Sequence, residues 1–259
     1  MSSFWSCPGH AQYDILFIKK DRDMDSQKLA NHANNITESR KGNKFSFESP
    51  IPGVHIYSDV WPNSLKWFEK LDGDQYWEEN PSPGNKKWVR EDYLDDLVGK
   101  KSLTCWVWHD QEVQDNLEEV IDSYLWHWDL DPHSRESLRI TKYEPNGEFF
   151  GMHPDDSFAT PRTASLVYYP NDDYEGGELE FIHFGIKIKP KAGQLFLFPA
   201  GYSYEHKISS VTGGRHRRTM VTFFNQMTSK ETAYRNSLIN QNNFYRSDLK
   251  YVLAPDFGA

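Results

Sequence analysis

Cysteine is nearly absent. Cys7 and Cys105 are the two in 259 residues; they are too few for a disulfide framework and lack the paired spacing of a zinc site. Long hydrophobic runs are missing as well. No stretch approaches the ~18 apolar residues of a membrane span, and Met1-Ser2-Ser3-Phe4-Trp5-Ser6 opens no apolar signal segment. These absences predict a soluble chain in a reducing, cytoplasmic or otherwise intracellular setting. Positive charge is also in short supply, with a formal net charge of −9. General nucleic-acid and membrane-surface binders carry a basic excess, so neither partner is expected. There is no internal repeat and no low-complexity tract. By contrast, 37% of the residues are hydrophobic and 15% aromatic, enough to bury a large core. The length suits one domain with extensions.

The patterning divides the chain into an N-terminal extension over 1–52, a domain over 53–225 and a polar C-terminal tail with a short helix over 226–259. In the extension, Tyr13–Ile18 reads as a strand and Asn31–Asn43 as a polar loop or weak helix. Val54–Tyr57 alternates like a strand. Leu65, Phe68 and Leu71, after Pro62, have helical spacing. Residues 72–92, rich in Gly, Pro, Asn and charge, read as a long surface loop. The aromatic insert Trp61–Trp88 is a substrate lid or a packed subdomain, with packing the preferred reading. Val113, Leu117, Val120, Ile121, Tyr124 and Trp128 form one face of a helix that ends near Asp131-Pro132. From 138 onward come short β-prone runs: Leu138–Tyr143, Ala164–Tyr169, Glu178–Phe181, Ile186–Ile188, Leu195–Phe198 and Thr219–Phe224. Helices followed by many short strands predict α+β, with a double-stranded β-helix (jelly roll) core braced by helices.

His153-Pro154-Asp155 puts an imidazole and a carboxylate on one side of a strand or loop end, because positions i and i+2 share a face. A second imidazole from a distant strand would complete two His and one carboxylate on one triangular face of an octahedral metal. The opposite face stays open, as in non-haem Fe(II) oxygenases. His206 follows Leu195–Phe198 and precedes the last strong strand, which suits that role. There are ten histidines. His109, His127 and His133 suit surface or packing positions near the helix, whereas His183 and His216 rival His206 on composition alone.

An open-faced iron needs electrons to activate O2, and a 2-oxoacid supplies two by decarboxylating. The far carboxylate of 2-oxoglutarate would need a cation, best met by the planar fork of arginine. Arg217, Thr219 and Val221 share one face of the final strand; Arg218, Met220 and Thr222 share the other. An Arg217-x-Thr219 pair on the inner face offers a charged clamp and a hydroxyl. Arg215 has the same parity and is a rival, while Arg218 points away.

These residues together resemble the prolyl 4-hydroxylase-like 2-oxoglutarate/Fe(II) dioxygenases, over about 53–225 and most clearly over 138–225. The parts stand in the family's order: Ile140–Gly147, Gly151-Met152-His153-Pro154-Asp155, Leu166–Asn171, Tyr174-Glu175-Gly176-Gly177-Glu178-Leu179, Pro190-Lys191-Ala192-Gly193, then His206 and the arginine strand. The resemblance implies Fe(II) on His153, Asp155 and His206. It implies that Arg217 pairs with the C5 carboxylate of 2-oxoglutarate beside Thr219, with Tyr169 reaching that carboxylate and Tyr143 near the iron end. Tyr168, of opposite parity, is expected to pack outward. Counting from His206 favours Arg215 over Arg217, and anchoring on Thr219–Phe223 favours Arg217; a one-residue bulge before the strand would reconcile the two. The resemblance further implies hydroxylation with release of succinate and CO2, ascorbate as reductant, and a peptide or protein substrate with proline the first guess. Alternatives are a small molecule, a nucleic-acid demethylase, and a non-catalytic jelly-roll binding protein. The carboxylate at 155 argues against halogenation, because halogenases of this type lack it.

Overall fold

The inner and outer faces of one curled antiparallel sheet carry two different chemistries, and the alternation of side chains along each strand explains why. The computed structural model describes residues 45–94, 98–130, 132–156 and 161–226. The readings at Tyr13–Ile18, at Asn31–Asn43 and in the tail beyond 226 lie outside these residues.

Thirteen strands are described: β1 (His55–Tyr57), β2 (Lys86–Leu94), β3 (Gly99–Val107), β4 (Ser134–Arg135), β5 (Leu138–Tyr143), β6 (Glu148–His153), β7 (Arg162–Tyr169), β8 (Tyr174–Gly176), β9 (Leu179–Phe181), β10 (Ile186–Ile188), β11 (Gln194–Pro199), β12 (His206–Gly214) and β13 (Arg217–Asn225). Their order is β1-β11-β7-β13-β5-β3-β6-β12-β9-β10, with β2 on β3, β4 on β13 and β8 on β12. The sheet folds over between β3 and β6, where Lys100 opposite Phe150 carries the register. The two halves then face each other across a cavity lined from both sides, by Tyr143, Thr219 and Val221 on one and by His153, His206 and Ile208 on the other. This is the jelly roll braced by helices that the patterning predicts.

Helices α1 (Leu65–Lys70), α2 (Asp74–Glu79) and α3 (Gln111–His127) cover the outer face. Along β7, Leu166 and Tyr168 point out into a cluster with Trp67, Phe68, Leu117 and Ile121. Val167 and Tyr169 point in, among Phe196, Phe198, Leu179 and Phe181. Tyr168 is therefore on the outer face but fully buried there, donating to the Trp61 carbonyl at 3.1 Å and bonded to Ser64 Oγ at 2.7 Å. Asp110 caps α3 through the Val113 N–H. Its other carboxylate oxygen accepts from Trp67 Nε1 at 3.1 Å and Tyr76 OH at 2.9 Å, joining the helices.

Residues 72–92 are not a surface loop. Asp74–Glu79 is helical and Lys86–Leu94 is a strand. The helix buries Tyr76 and Trp77, and the indoles of Trp77 and Trp88 both donate to the Leu71 carbonyl. Among the paired strands, β2 pairs β3 alone, and most of its residues are exposed, so no hydrophobic alternation marks it. The aromatic insert is a packed unit, with Trp61, Trp67, Phe68, Tyr76 and Trp77 all buried.

His55 on β1 sits against this core, stacked on Phe47 with ring centroids 3.6 Å apart and 4.8 Å from His127. Burial, then the neighbouring His127, pushes its pKa down to about 4. An unfolded histidine takes its proton near 6.5. Between about 6.5 and 4 the unfolded chain binds a proton that the folded chain refuses, so stability falls as the pH drops through that window. Replacing His55 by Phe is expected to flatten this part of a curve of denaturation midpoint against pH. An unaltered slope would contradict the assignment.

Candidate metal centre

His153 ends β6 and His206 begins β12, and the two stand directly opposite in the antiparallel register. Asp155 lies two residues beyond the end of β6, past Pro154. Its carboxylate oxygens are 3.6 Å from His153 Nε2 and 3.8 Å from His206 Nε2. One ligand atom from each of the three residues falls within 4.8 Å of the others, and all three residues are buried. The rivals are elsewhere: His183 pairs with Glu205 and His216 with Glu144.

Each imidazole is held in one tautomer. His153 Nδ1–H donates to the Gly151 carbonyl at 2.7 Å, and His206 Nδ1–H donates to the Tyr204 carbonyl at 3.0 Å. A carbonyl only accepts, so both Nε2 lone pairs are left facing the carboxylate. Burial and then the proximity of His206 push the His153 pKa down to about 3, so its ring is neutral at neutral pH. Burial works to raise the Asp155 carboxyl, but the two histidines, the Ser165 hydroxyl at 2.6 Å and Arg162 outweigh it and hold it below the usual range. Two Nε2 atoms and a carboxylate thus converge, an arrangement a metal cation fits. Phe150 stacks on His153 at 3.7 Å, fixing the ring plane.

At the other end of the inner face, Arg217 is fully buried and stands opposite Tyr143 in the β13–β5 register. Its Nε donates to the Gly177 carbonyl at 2.9 Å. Its guanidinium carbon lies 5.1 Å from the Tyr143 ring centre, 5.2 Å from that of Tyr169 and 6.0 Å from that of Tyr174. Arg217 Nη1 and Nη2 and the hydroxyls of Tyr169 and Tyr174 are buried without a hydrogen-bond partner. Four orphaned donors around one cation fit a carboxylate, which would satisfy them together. Burial pushes all three tyrosine pKa values up, keeping the hydroxyls protonated and able to donate. Thr219, also buried, lines the cavity between this end and the histidines. The cavity encloses about 620 Å³, open mouth included.

Arg215 has an exposed side chain and pairs with Glu69 and Asp173 outside the cavity. Arg218 points to the outer face, bonded to the Phe68 carbonyl at 3.2 Å and to Asp72. The register of β12 against β6 shifts by one residue in opposite directions between His206 and Ile208 and between Ile208 and Val211, and β12 gains one residue on β8 between Val211 and Gly213. Sequence reasoning missed Tyr174 and Ser165. Ser165 shares strand parity with Val167 and Tyr169, so its inward aim was readable. Tyr174 lies on a three-residue strand that carries no periodicity.

The curled antiparallel sheet thus carries two imidazoles and a carboxylate that could hold a metal ion, and a buried guanidinium that could hold a carboxylate. Residues 138–225 match the model of the 2OG-Fe(II) oxygenase superfamily. The match spans about a third of the chain and makes that part similar to the superfamily. A 61-residue segment is 39% identical to "Prolyl 3-hydroxylase 2" of Homo sapiens and of Rattus norvegicus; it is 22% of this chain but only 9% of theirs. The fold is similar to a Trichoplax adhaerens prolyl hydroxylase solved with a hypoxia inducible factor oxygen degradation domain peptide fragment (TM-score 0.54, 15% identity, covering 83% of this chain and 98% of that one). It is also similar to a Pseudomonas putida prolyl-4-hydroxylase (TM-score 0.50, 19% identity, covering 68% and 94%). Among the described residues no helix is long and apolar enough to cross a membrane.

Replacing Arg217 by Ala is expected to weaken 2-oxoglutarate binding by about 2–3 kcal/mol, roughly 30- to 150-fold. The same change at Arg215 should leave binding close to wild type. Gly177→Ala should also weaken it, because a Cβ there, at φ +64°, would lie 2.6 Å from Arg217 Cδ. Titration of each variant with 2-oxoglutarate checks this, and a larger loss at Arg215 would refute the assignment.

Proposed function

We propose that this chain hydroxylates a peptidyl residue, with proline the foremost target, at a site whose ligands are His153, Asp155 and His206. The observation that carries the reading is a pair of groupings on one inner face: three converging ligand atoms at one end, and the orphaned guanidinium and tyrosine hydroxyls at the other. In this reading Arg217 and Tyr169 hold the C5 carboxylate of 2-oxoglutarate, with Thr219 beside it and Tyr143 along the cosubstrate. The segment shared with the prolyl 3-hydroxylases, and the peptide in the Trichoplax complex, support a peptide or protein substrate over other classes. The catalytic unit spans 53–225, with 1–52 as an extension and 226–259 as a tail.

When bound, the iron and 2-oxoglutarate supply the oxidising chemistry, with O2 consumed and succinate and CO2 released as a C–H bond is hydroxylated. The protein's part is geometry and access. The Gly151 and Tyr204 carbonyls keep the Nε2 lone pairs aimed at one point. Ser165 donates to one Asp155 oxygen, and Arg162 donates to the Asp155 backbone carbonyl at 3.0 Å while Glu136 grips its guanidinium in a fork. The carboxylate therefore cannot swing out of the triangle. The tyrosine hydroxyls stay protonated and act as donors to an anion. Ascorbate, as the reductant that restores iron, belongs to the same reading.

Chelation of the purified protein should abolish conversion of 2-oxoglutarate to succinate, and Fe(II) should restore it. His153→Ala should remain inactive after the same reconstitution. Peptides containing proline should gain one oxygen by mass spectrometry in the wild type alone. Full turnover by His153→Ala would rule out this centre, and turnover without any modified peptide would rule out the substrate class.

A further inference from the structure

Three Lys or Arg side chains line this cavity, and two of them have a carboxylate partner; Arg217 stands behind the lining tyrosines Tyr143 and Tyr169. Lys100 is held by Glu91, Arg162 by Glu136, and Arg217 faces the 2-oxoglutarate end. The third, Arg139, is half-buried and makes no hydrogen bond or salt bridge among the described residues, although it is near enough to Glu91, the partner of Lys100, to help hold that carboxyl down. Its guanidinium lies 5.9 Å from the Trp106 ring centre.

Its position gives this cation a meaning. Arg139, Thr141 and Tyr143 share the inner parity of β5. In register, Tyr143 stands opposite Arg217, Thr141 opposite Thr219, and Arg139 opposite Val221 on one side and Trp106 on the other. At about 3.4 Å per residue, Arg139 lies about 14 Å along the strand from Tyr143. One wall therefore carries an arginine at each end. The row of Arg217 belongs to the cosubstrate's far carboxylate. The row of Arg139 lies at the opposite end, with Phe223 and Arg162, whose guanidinium is 3.6 Å from the Phe223 ring centre.

We infer that Arg139 is a specificity-determining residue that binds a carboxylate on the substrate, placed beside the carbon to be hydroxylated. This rests on the oxygenase reading of the site. A guanidinium that is partly stripped of water and left unpaired binds an anion with a charge-assisted fork. A single free cation matches a carboxylate. A phosphodiester chain would require several free cations along a groove, but Lys100 and Arg162 are already neutralised and the chain is acidic overall. The carboxylate comes either from a Glu or Asp flanking a peptidyl target or from the α-carboxylate of a free amino acid.

The test uses full-length enzyme loaded with Mn(II) and 2-oxoglutarate under anaerobic conditions, so that binding is read by calorimetry without turnover. Two probe pairs are titrated: proline peptides with Glu or Gln flanking the proline, and free L-proline against L-prolinamide. The acidic member of a pair should bind about tenfold tighter or more. Arg139→Gln should bring that ratio close to unity, and Arg139→Lys should restore part of it, which a purely structural role would not do. An acid preference confined to the peptides identifies a flanking acidic residue. A preference confined to free proline keeps the carboxylate contact and removes the peptide substrate. No acid preference in the wild type, or one that survives Arg139→Gln, overturns the inference even if peptides are hydroxylated.

Discussion

The constraint on which this structure turns is the meeting of three acceptors in a dry place. His153 and His206 stand opposite on paired strands, with their Nε2 atoms 3.6 and 3.8 Å from the Asp155 carboxylate oxygens. Without a cation such an arrangement is unfavourable, since each lone pair faces another or a carboxylate. The surrounding structure holds it nonetheless. Two backbone carbonyls fix the tautomers, Ser165 ties one carboxylate oxygen, and Phe150 stacks on one ring. Two opposite register shifts, around the pairs Ile208–Phe150 and Val211–Glu148, cancel between the strands, and the imidazoles stand level at their ends. Preorganisation of this kind places the cost of convergence in folding rather than in metal binding.

Arg217 poses the same problem with the opposite sign. A fully buried guanidinium with two unpartnered Nη groups is costly unless an anion joins it. Three tyrosine rings surround it and supply partial compensation through their faces, while Gly177 gives both a carbonyl for Nε and room for Cδ. Its neighbour Arg218 shows what strand parity decides. One residue on, the side chain faces the outer core and finds Asp72 and the Phe68 carbonyl. Two adjacent arginines thus meet different surroundings, one with unpartnered Nη groups on the inner face and one closed as a structural link to the helices.

Much of this was legible because a few physical rules act locally. The helical face from Val113 to Tyr124, the runs Leu138–Tyr143 and Ile186–Ile188, and the parity that separates Arg217 from Arg218 all follow from side-chain periodicity. What was not legible is equally specific. Strand β3 escaped notice because its inner face is Lys100, Ser102, Thr104 and Trp106, which faces the polar half of the cavity and inverts the usual pattern. Strand β12 is interrupted by irregular register and ends in two glycines, so it shows no alternation either. Strand β2 is an exposed edge, and α2 is six residues whose burial depends on aromatic contacts distant in sequence. The choice between Arg215 and Arg217 needed the register irregularities of β12, which no count along the chain reveals.

These illegible segments share a cause. A strand that lines a catalytic cavity must show polar groups inward and apolar groups toward the helices, and it must break register where ligands are to be levelled. Lys100, Arg139, Thr141 and Thr219 occupy inward positions that a purely structural jelly roll would fill with Val or Ile. The inner wall therefore gives up apolar packing, and the outer cluster of Trp61, Trp67, Phe68, Leu166 and Tyr168 carries more of the fold's stability. The cavity's own polar groups regain their pairing when the site is filled, so occupancy by metal and cosubstrate adds stability to the native state alone. In this chain the local departures from strand patterning and the chemistry of the site have the same origin.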